Sequence, residues 1–172
     1  ELSRPIRPIG DYQAYQQLRG ILKELKPDIV HTHSSKGGVL GRLAASAEKV
    51  PVILHTYHGF GFHRYQNPGI FRLYVAFERE ACRRSHHLIF VSHDNFKWAQ
   101  ELDLIQTCST SLIRSGVEID PLLEAKRSES FRTEMGVSKK GKAVGMIACL
   151  KPQKDPVTFV DAAEIVSRKM ER

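Results

Sequence analysis

The alternation of short apolar segments with longer amphipathic ones most limits how this sequence can fold. The short segments are β-branched and apolar, as buried strands are. They lie at 28–33, 50–57 and 86–92. Segments with helical spacing of apolar residues precede, separate and follow them. These lie at 11–26, 37–49, 69–84 and 93–103. The rhythm predicts an α/β domain with a parallel, doubly wound sheet and helices on both faces.

Two of the predicted strands end in histidine, and glycines follow. "DIVHTH" ends in His31 and His33 and runs into "SSKGG", while "PVIL" runs through His55 into "HTYHGFGFHRY". Ligands of open parallel sheets bind beyond the carboxyl ends of the strands, and glycine lets backbone approach them closely. This edge is therefore predicted to bind a polar ligand. We expect His58, in the glycine loop beside Gly59, to be functional, and structural roles for the other three histidines.

Composition excludes several classes of protein. The 172 residues are 41% hydrophobic and 26% charged, as in ordinary globular chains. No apolar stretch approaches the ~20 residues of a membrane helix. The net charge of +7 suits a phosphate-bearing ligand or peripheral contact with an anionic membrane, but without a basic block nucleic acid is not expected. Three dispersed cysteines indicate a reducing cytoplasm, and the H-x-H pair lacks partners for a metal.

The later part of the chain has a different character. A polar stretch with one or two short helices is predicted up to residue 142, then a buried strand at 143–150 and a helix from about 156. One strand and one helix cannot bury a core alone. We therefore expect the chain to be a fragment whose orphan strand leads to self-association.

Two loops between a strand and a helix carry lysines. "SSKGG" places Lys36 and Gly37 where backbone N–H groups could hold an anion or sugar hydroxyls. "CLKPQKDP" places Lys151 and Lys154 near the next helix start, an arrangement that suits a diphosphate. Neither loop has the spacing of a P-loop or of a dinucleotide fingerprint.

Taken together, five stretches carry a family resemblance: "KPDIVHTHSSKGGVLGRLAA", "VPVILHTYHGFGFH", "LIFVSHDN", "IRSGVEID" and "VGMIACLKPQKDPVTFVDAA". These stretches occur in the family's order, and with them the chain resembles glycosyltransferase family 4, the group 1 nucleotide-sugar transferases of GT-B fold. The resemblance is greatest to bacterial members that build polysaccharides. The resemblance implies two Rossmann-like domains. Residues 1–113 would be the later part of the acceptor-side domain, 114–142 the connector, and 143–172 the start of the donor-binding domain.

The same resemblance implies roles for single residues. His58 matches a histidine that lies near the transferred sugar, and Lys154 matches the lysine of a loop, written G-R-L-x-x-x-K-G, that holds the donor diphosphate. Cys149 stands where that loop has arginine, and Asp155 where it has glycine. If the strand at 143–150 continues, Lys151 lies on the same strand face as Cys149, and we expect it to supply the missing charge. Lys36, Gly37 and Gly59 are expected at the acceptor or sugar.

The implied function is retaining transfer of a sugar from a nucleotide donor to a lipid-linked or saccharide acceptor, in the cytoplasm or on the inner face of the membrane. No metal or other cofactor is expected, since cationic side chains and helix dipoles can stabilise the leaving diphosphate. The family's glycine-rich first loop and its paired-glutamate donor motif are not in these 172 residues. We therefore expect the 172 residues alone to be inactive. A sugar-nucleotide epimerase or hydrolase and a non-catalytic binding relative remain as alternatives.

Overall fold

The computed structural model describes residues 6–125, 129–138, 141–150 and 154–170. The chain divides into two compact units, Glu1–Val117 and Glu118–Arg172. The first unit contains α1 (Pro8–Leu25), β1 (Ile29–His33), α2 (Ser35–Ala47), β2 (Val52–Tyr57), α3 (Pro68–Arg83), β3 (His87–Phe90), α4 (His93–Glu101) and β4 (Ser109–Leu112). The second contains α5 (Asp120–Glu124), α6 (Glu129–Glu134) and α7 (Pro156–Met170).

The four strands form one parallel sheet in the order β1-β2-β3-β4. His33 pairs with Thr56 across β1 and β2, and Tyr57 pairs with Phe90 across β2 and β3. The predicted strands therefore end at a common edge, and the α/β class with a parallel Rossmann-like sheet is confirmed. Strand β4 was not predicted, because its sequence "STSL" is polar and lacks the apolar run that marked the others.

The helices of the first unit pack on one face of this sheet. Consecutive right-handed crossovers between neighbouring strands place their helices on the same side. Val30 meets Leu22 of α1 there, Tyr57 meets Cys82 of α3, and Phe90 packs with Phe96 of α4. Within the described residues this covers one face, so coverage of the second face remains a prediction.

An aromatic cluster forms the core between the sheet and helices α3 and α4. Trp98 packs against Phe60 and Phe62 at centroid distances of 5.0 and 5.2 Å, and Phe90 stacks on Tyr57 at 4.9 Å. Trp98 and these phenylalanines therefore belong to the core or pack directly against it. The cluster anchors the glycine loop after β2, because Phe60 and Phe62 alternate with its glycines.

The second unit corrects one expectation. Residues 143–150 were predicted to form a buried strand, but they adopt no strand, and Ile147 is fully exposed. A strand needs the backbone groups of a neighbour, and no described segment offers them to this stretch. The expected helix from about 156 is confirmed as α7. The assignment of 114–142 as a connector and of 143–172 to a donor-binding domain remains a prediction.

Candidate functional site

Two histidines from different strand ends meet at the carboxyl edge of the sheet. His33 is the last residue of β1, and His58 follows the last residue of β2. Nδ1 of His33 lies 3.0 Å from Nε2 of His58, and the rings stack with centroids 5.3 Å apart. One ring donates the proton and the other accepts it, so their tautomers are coupled. Among the described residues nothing bonds to the second nitrogen of either ring, which leaves both available to a ligand.

His31 extends this pair into a row of three rings. Its ring centroid lies 4.4 Å from that of His33, as expected for residues i and i+2 on one strand face. Its Nε2 lies 2.8 Å from Oγ1 of Thr56 on β2. Desolvation and the neighbouring His33 and His58 hold the pKa of His31 below its ordinary value. His31 is therefore anchored to β2 and packs beside the coupled pair.

His55 lies on the opposite face of the sheet and has a different role. It is 1% exposed, and its Nδ1 lies 2.8 Å from Oγ1 of Thr32. Burial, the charge of Arg42 and the other histidines lower the pKa of His55 to about 2. Its ring is neutral and fixed in the interior, which matches the structural role expected for it.

Glycines let helix α2 lie close to these strands. A Cβ at Gly38 would lie 2.9 Å from Nδ1 of His55, and one at Gly41 would lie 2.8 Å from Cγ2 of Thr32. A Cβ at Gly61 would lie 2.7 Å from the Ser35 side chain, so the glycine loop packs directly on the first turn of α2. Gly59 has φ 157°, which L side chains rarely adopt. The loop conformation that presents His58 therefore depends on glycine.

The first turn of α2 lies beside the histidine row. Its N-cap residue, Ser34, has φ 65° and makes no side-chain capping bond. A non-glycine residue with this φ is strained, and such strain is concentrated at functional sites. Lys36 forms an ion pair with Asp11 of α1 at 2.6 Å, and a Cβ at Gly37 would meet nothing within 4 Å. Lys36 thus holds α1 against the start of α2, and the backbone at Gly37 is open to a ligand.

The predicted diphosphate loop belongs to the second unit. Lys154 is exposed, and Lys151 lies outside the described residues. The argument that put Lys151 on the same strand face as Cys149 is wrong, because 143–150 form no strand. Asp155, which occupies the glycine position of the family loop, has φ 44° and caps α7 through Thr158, whose N and Oγ1 donate to its carboxylate at 3.3 and 2.8 Å. A left-handed backbone is what glycine would provide there, and Asp tolerates it.

A buried ionic network behind the site was not predicted from the sequence. Nη2 of Arg42 on α2 donates to Oε2 of Glu78 on α3 at 2.7 Å, and the Tyr57 hydroxyl donates to the same oxygen at 2.8 Å. Although burial opposes the charge on Arg42, Tyr57 and Glu78 hold the pKa of its guanidinium above the ordinary value. The sequence did contain one sign of this network: a charged residue, Arg42, lies within the small-residue segment "GGVLGRLAASA", which forms a helix packed on the sheet. The network ties both helices to β2, whose end carries His58.

Two features that the described residues lack bear on function. No group of three or more His, Cys, Asp or Glu side chains in them is arranged to hold a metal ion. No helix in the same ranges combines the length and the apolarity needed to cross a bilayer.

A parallel Rossmann-like sheet with a polar, glycine-lined carboxyl edge places this chain among the open α/β proteins that bind ligands beyond the ends of their strands. The model of "Glycosyltransferase Family 4" matches residues 2–120, which is more than half of the chain. The chain therefore belongs to glycosyltransferase family 4.

Two curated relatives agree with this assignment. The chain is 31% identical over 166 residues to the "UDP-Gal:alpha-D-GlcNAc-diphosphoundecaprenol alpha-1,3-galactosyltransferase" of Escherichia coli, covering 96% of this chain and 43% of that protein. It is 32% identical over 90 residues to the "Putative glycosyltransferase EpsD" of Bacillus subtilis (strain 168), covering 51% of this chain and 24% of the relative. The chain thus spans less than half the length of either relative.

Proposed function

We propose that the whole protein transfers a sugar from a nucleotide-sugar donor to a lipid-linked or saccharide acceptor during synthesis of a cell-surface polysaccharide. The observation that carries this proposal is the hydrogen-bonded His33–His58 pair at the carboxyl edge of the sheet in a family 4 chain. The relative from Escherichia coli, whose name includes a diphosphoundecaprenol acceptor, supports the lipid-linked class.

Each candidate residue has a place in this proposal. His58 contacts the transferred sugar through its second ring nitrogen, and His33 fixes its orientation. The backbone at Gly37 and Gly59, together with Lys36, binds hydroxyl or anionic groups of the acceptor. Lys154 attracts the donor diphosphate, with Lys151 as its predicted partner. The reaction retains the configuration of the sugar and uses no metal, and it takes place on the cytoplasmic side of a membrane.

Carboxylates near the edge argue against an epimerase or hydrolase. Proton transfer at a sugar carbon needs a base that can reach the substrate. Asp11 is paired with Lys36 at 2.6 Å, and Glu78 is buried against Arg42 at 2.7 Å. Both are engaged in ion pairs, so neither is a free base beside the histidine row.

The 172 residues alone are proposed to be inactive. Transfer requires donor and acceptor to be held together, and such positioning can supply ~7–11 kcal/mol of barrier reduction. The second unit consists of three helices among its described residues, with no sheet to enclose a nucleotide.

The test uses the whole protein with a panel of nucleotide sugars and lipid-linked saccharides. Mass spectrometry should find an acceptor enlarged by one sugar, and NMR of the product should show that the anomeric configuration of the donor is kept. A donor that is hydrolysed or epimerised, with the acceptor unchanged, would contradict the proposal. Nucleotide-sugar binding that tightens on Cys149→Arg without turnover would favour a non-catalytic relative.

A further inference from the structure

A long open groove runs along the outer face of α2, between α1 and α3. It encloses about 1140 Å³ and is lined by residues of these three helices and of the adjoining loops. Ligand pockets for small molecules are usually about 300–1000 Å³, so this groove is large for a compact ligand. Helix α2 spans 13 residues from Ser35 to Ala47, which gives the groove a floor of about 20 Å at 1.5 Å per residue.

Most of the groove is apolar. Its floor is formed by four α2 residues at helical spacing: Val39, Leu40, Leu43 and Ala47. Leu73 and Phe77 of α3 form one wall and are 48% and 49% exposed. Tyr12 of α1 stands on the other wall and is 63% exposed. A continuous apolar surface of this kind, open to water, is typical of a binding site.

The groove becomes polar at the end nearest the candidate site. His33, Ser34, Ser35 and Gly61 line it there, and the Lys36–Asp11 ion pair joins its α2 floor to the α1 wall. The groove therefore begins at His33, one ring of the histidine row, and continues as an apolar channel over α2. A ligand that follows it must be amphiphilic, with its polar end at His33.

We propose that this groove holds the hydrocarbon chain of a lipid-linked acceptor, whose saccharide end faces His33 and His58. The inference rests on the proposed function and assigns a tail site to it. The continuity of the apolar groove with the polar edge carries the argument. A docked protein helix, about 10–12 Å across, would cover the groove but would leave that continuity unexplained.

The first test compares acceptors of the same saccharide on a long polyprenyl chain and on a short, water-soluble alkyl chain. Leu73→Gln and Phe77→Gln place an amide in the wall of the groove. Ile70→Gln is the matched control, because Ile70 lies on the same helix, is 50% exposed and does not line the groove. For the long-chain acceptor we expect KM to rise about tenfold in the two groove variants and to stay unchanged in the control, with kcat kept. For the short-chain acceptor all three should match the unaltered protein. Equal effects of Leu73→Gln and Ile70→Gln, or equal losses with both acceptors, would overturn the inference.

The second test does not depend on turnover. A polyprenyl diphosphate with a photoreactive group on its chain should label α2 or α3 peptides of the whole protein, and Leu73→Gln should reduce that labelling. Labelling elsewhere would overturn the tail site, whether or not transfer is seen. Groove labelling without any sugar transfer would instead refute the proposed function. If Leu73→Gln weakens binding to anionic vesicles that lack acceptor, the groove contacts the bilayer itself and the inference is wrong.

Discussion

Nη2 of Arg42 lies 2.7 Å from Oε2 of Glu78, and both side chains are shielded from solvent between α2 and α3. Removing one partner leaves the other charge buried and unpaired, which costs about 3–5 kcal/mol. Arg42→Met should therefore lower the free energy of unfolding by that amount in urea denaturation of the whole protein. The double variant Arg42→Met, Glu78→Leu should be less destabilised than Arg42→Met, because no charge remains buried.

The exposed pair Glu80–Arg84 is the matched control for this prediction. Its atoms approach to 2.6 Å at i,i+4 spacing on α3, but both side chains are exposed to solvent. Arg84→Met should cost no more than about 0.5 kcal/mol. Similar costs for Arg42→Met and Arg84→Met would show that the buried pair does not hold the helices together.

The second prediction concerns acid stability. The pKa of His55 is about 2 in the folded protein, against about 6.5 when unfolded. The unfolded state binds the proton first, so stability from the neutral ring is present above pH ~6.5 and is lost as pH falls toward 2. His55→Asn should flatten the decline in unfolding free energy between pH 7 and 5, by up to ~1.4 kcal/mol per pH unit. His63→Asn alters an exposed histidine of the following loop and should keep the original slope. An unchanged slope in His55→Asn would contradict the buried neutral ring.

The third prediction uses two neighbouring glycines of α2. A Cβ at Gly38 would overlap the fixed His55 ring, whereas one at Gly37 would meet nothing within 4 Å. Gly38→Ala should therefore lower the unfolding free energy by about 1–3 kcal/mol, as at an overpacked site, and the melting temperature should fall with it. Gly37→Ala should be neutral or stabilise by up to about 1 kcal/mol, because alanine is the better helix former. Equal melting temperatures would mean that α2 does not pack against His55 as described.

Much of this arrangement could be predicted from the sequence, and the reasons for the failures are physical. The apolar runs ending at His33 and Tyr57 identified their strands, and parallel pairing brought both ends to one edge. The histidine that bonds to His58 is set by the register of the strands and the conformation of the loop. Neither can be read from the local sequence pattern. The polar strand β4 forms because β3 offers it a partner, and residues 143–150 form none because no described neighbour does. Burial of Arg42 likewise depends on Glu78, 36 residues away.

The fourth prediction assigns His33 a positioning role. Its Nδ1 lies 3.0 Å from Nε2 of His58, so loss of this bond would free the His58 ring, which we propose contacts the transferred sugar, to rotate. His33→Ala should lower kcat about 10- to 100-fold with little change in the KM for donor. His33→Asn keeps a polar atom near the Nδ1 position and should recover part of the rate, as measured by steady-state transfer kinetics. A change confined to KM, or no rescue by asparagine, would instead indicate direct binding or a packing role.

The most direct measurement is the rate of sugar transfer by the whole protein, compared between His58→Ala and His63→Ala. Both residues follow β2 and both are exposed, but His58 bonds to His33 at the sheet edge while the His63 backbone bonds to Gln66. If His58 acts on the transferred sugar, its loss should lower kcat by about 10² to 10⁴ while circular dichroism shows the fold intact. His63→Ala should keep kcat within about twofold, as surface changes away from a site usually do. Equal rates in the two variants, with His58→Ala merely less stable to heat, would contradict the assignment of the active edge.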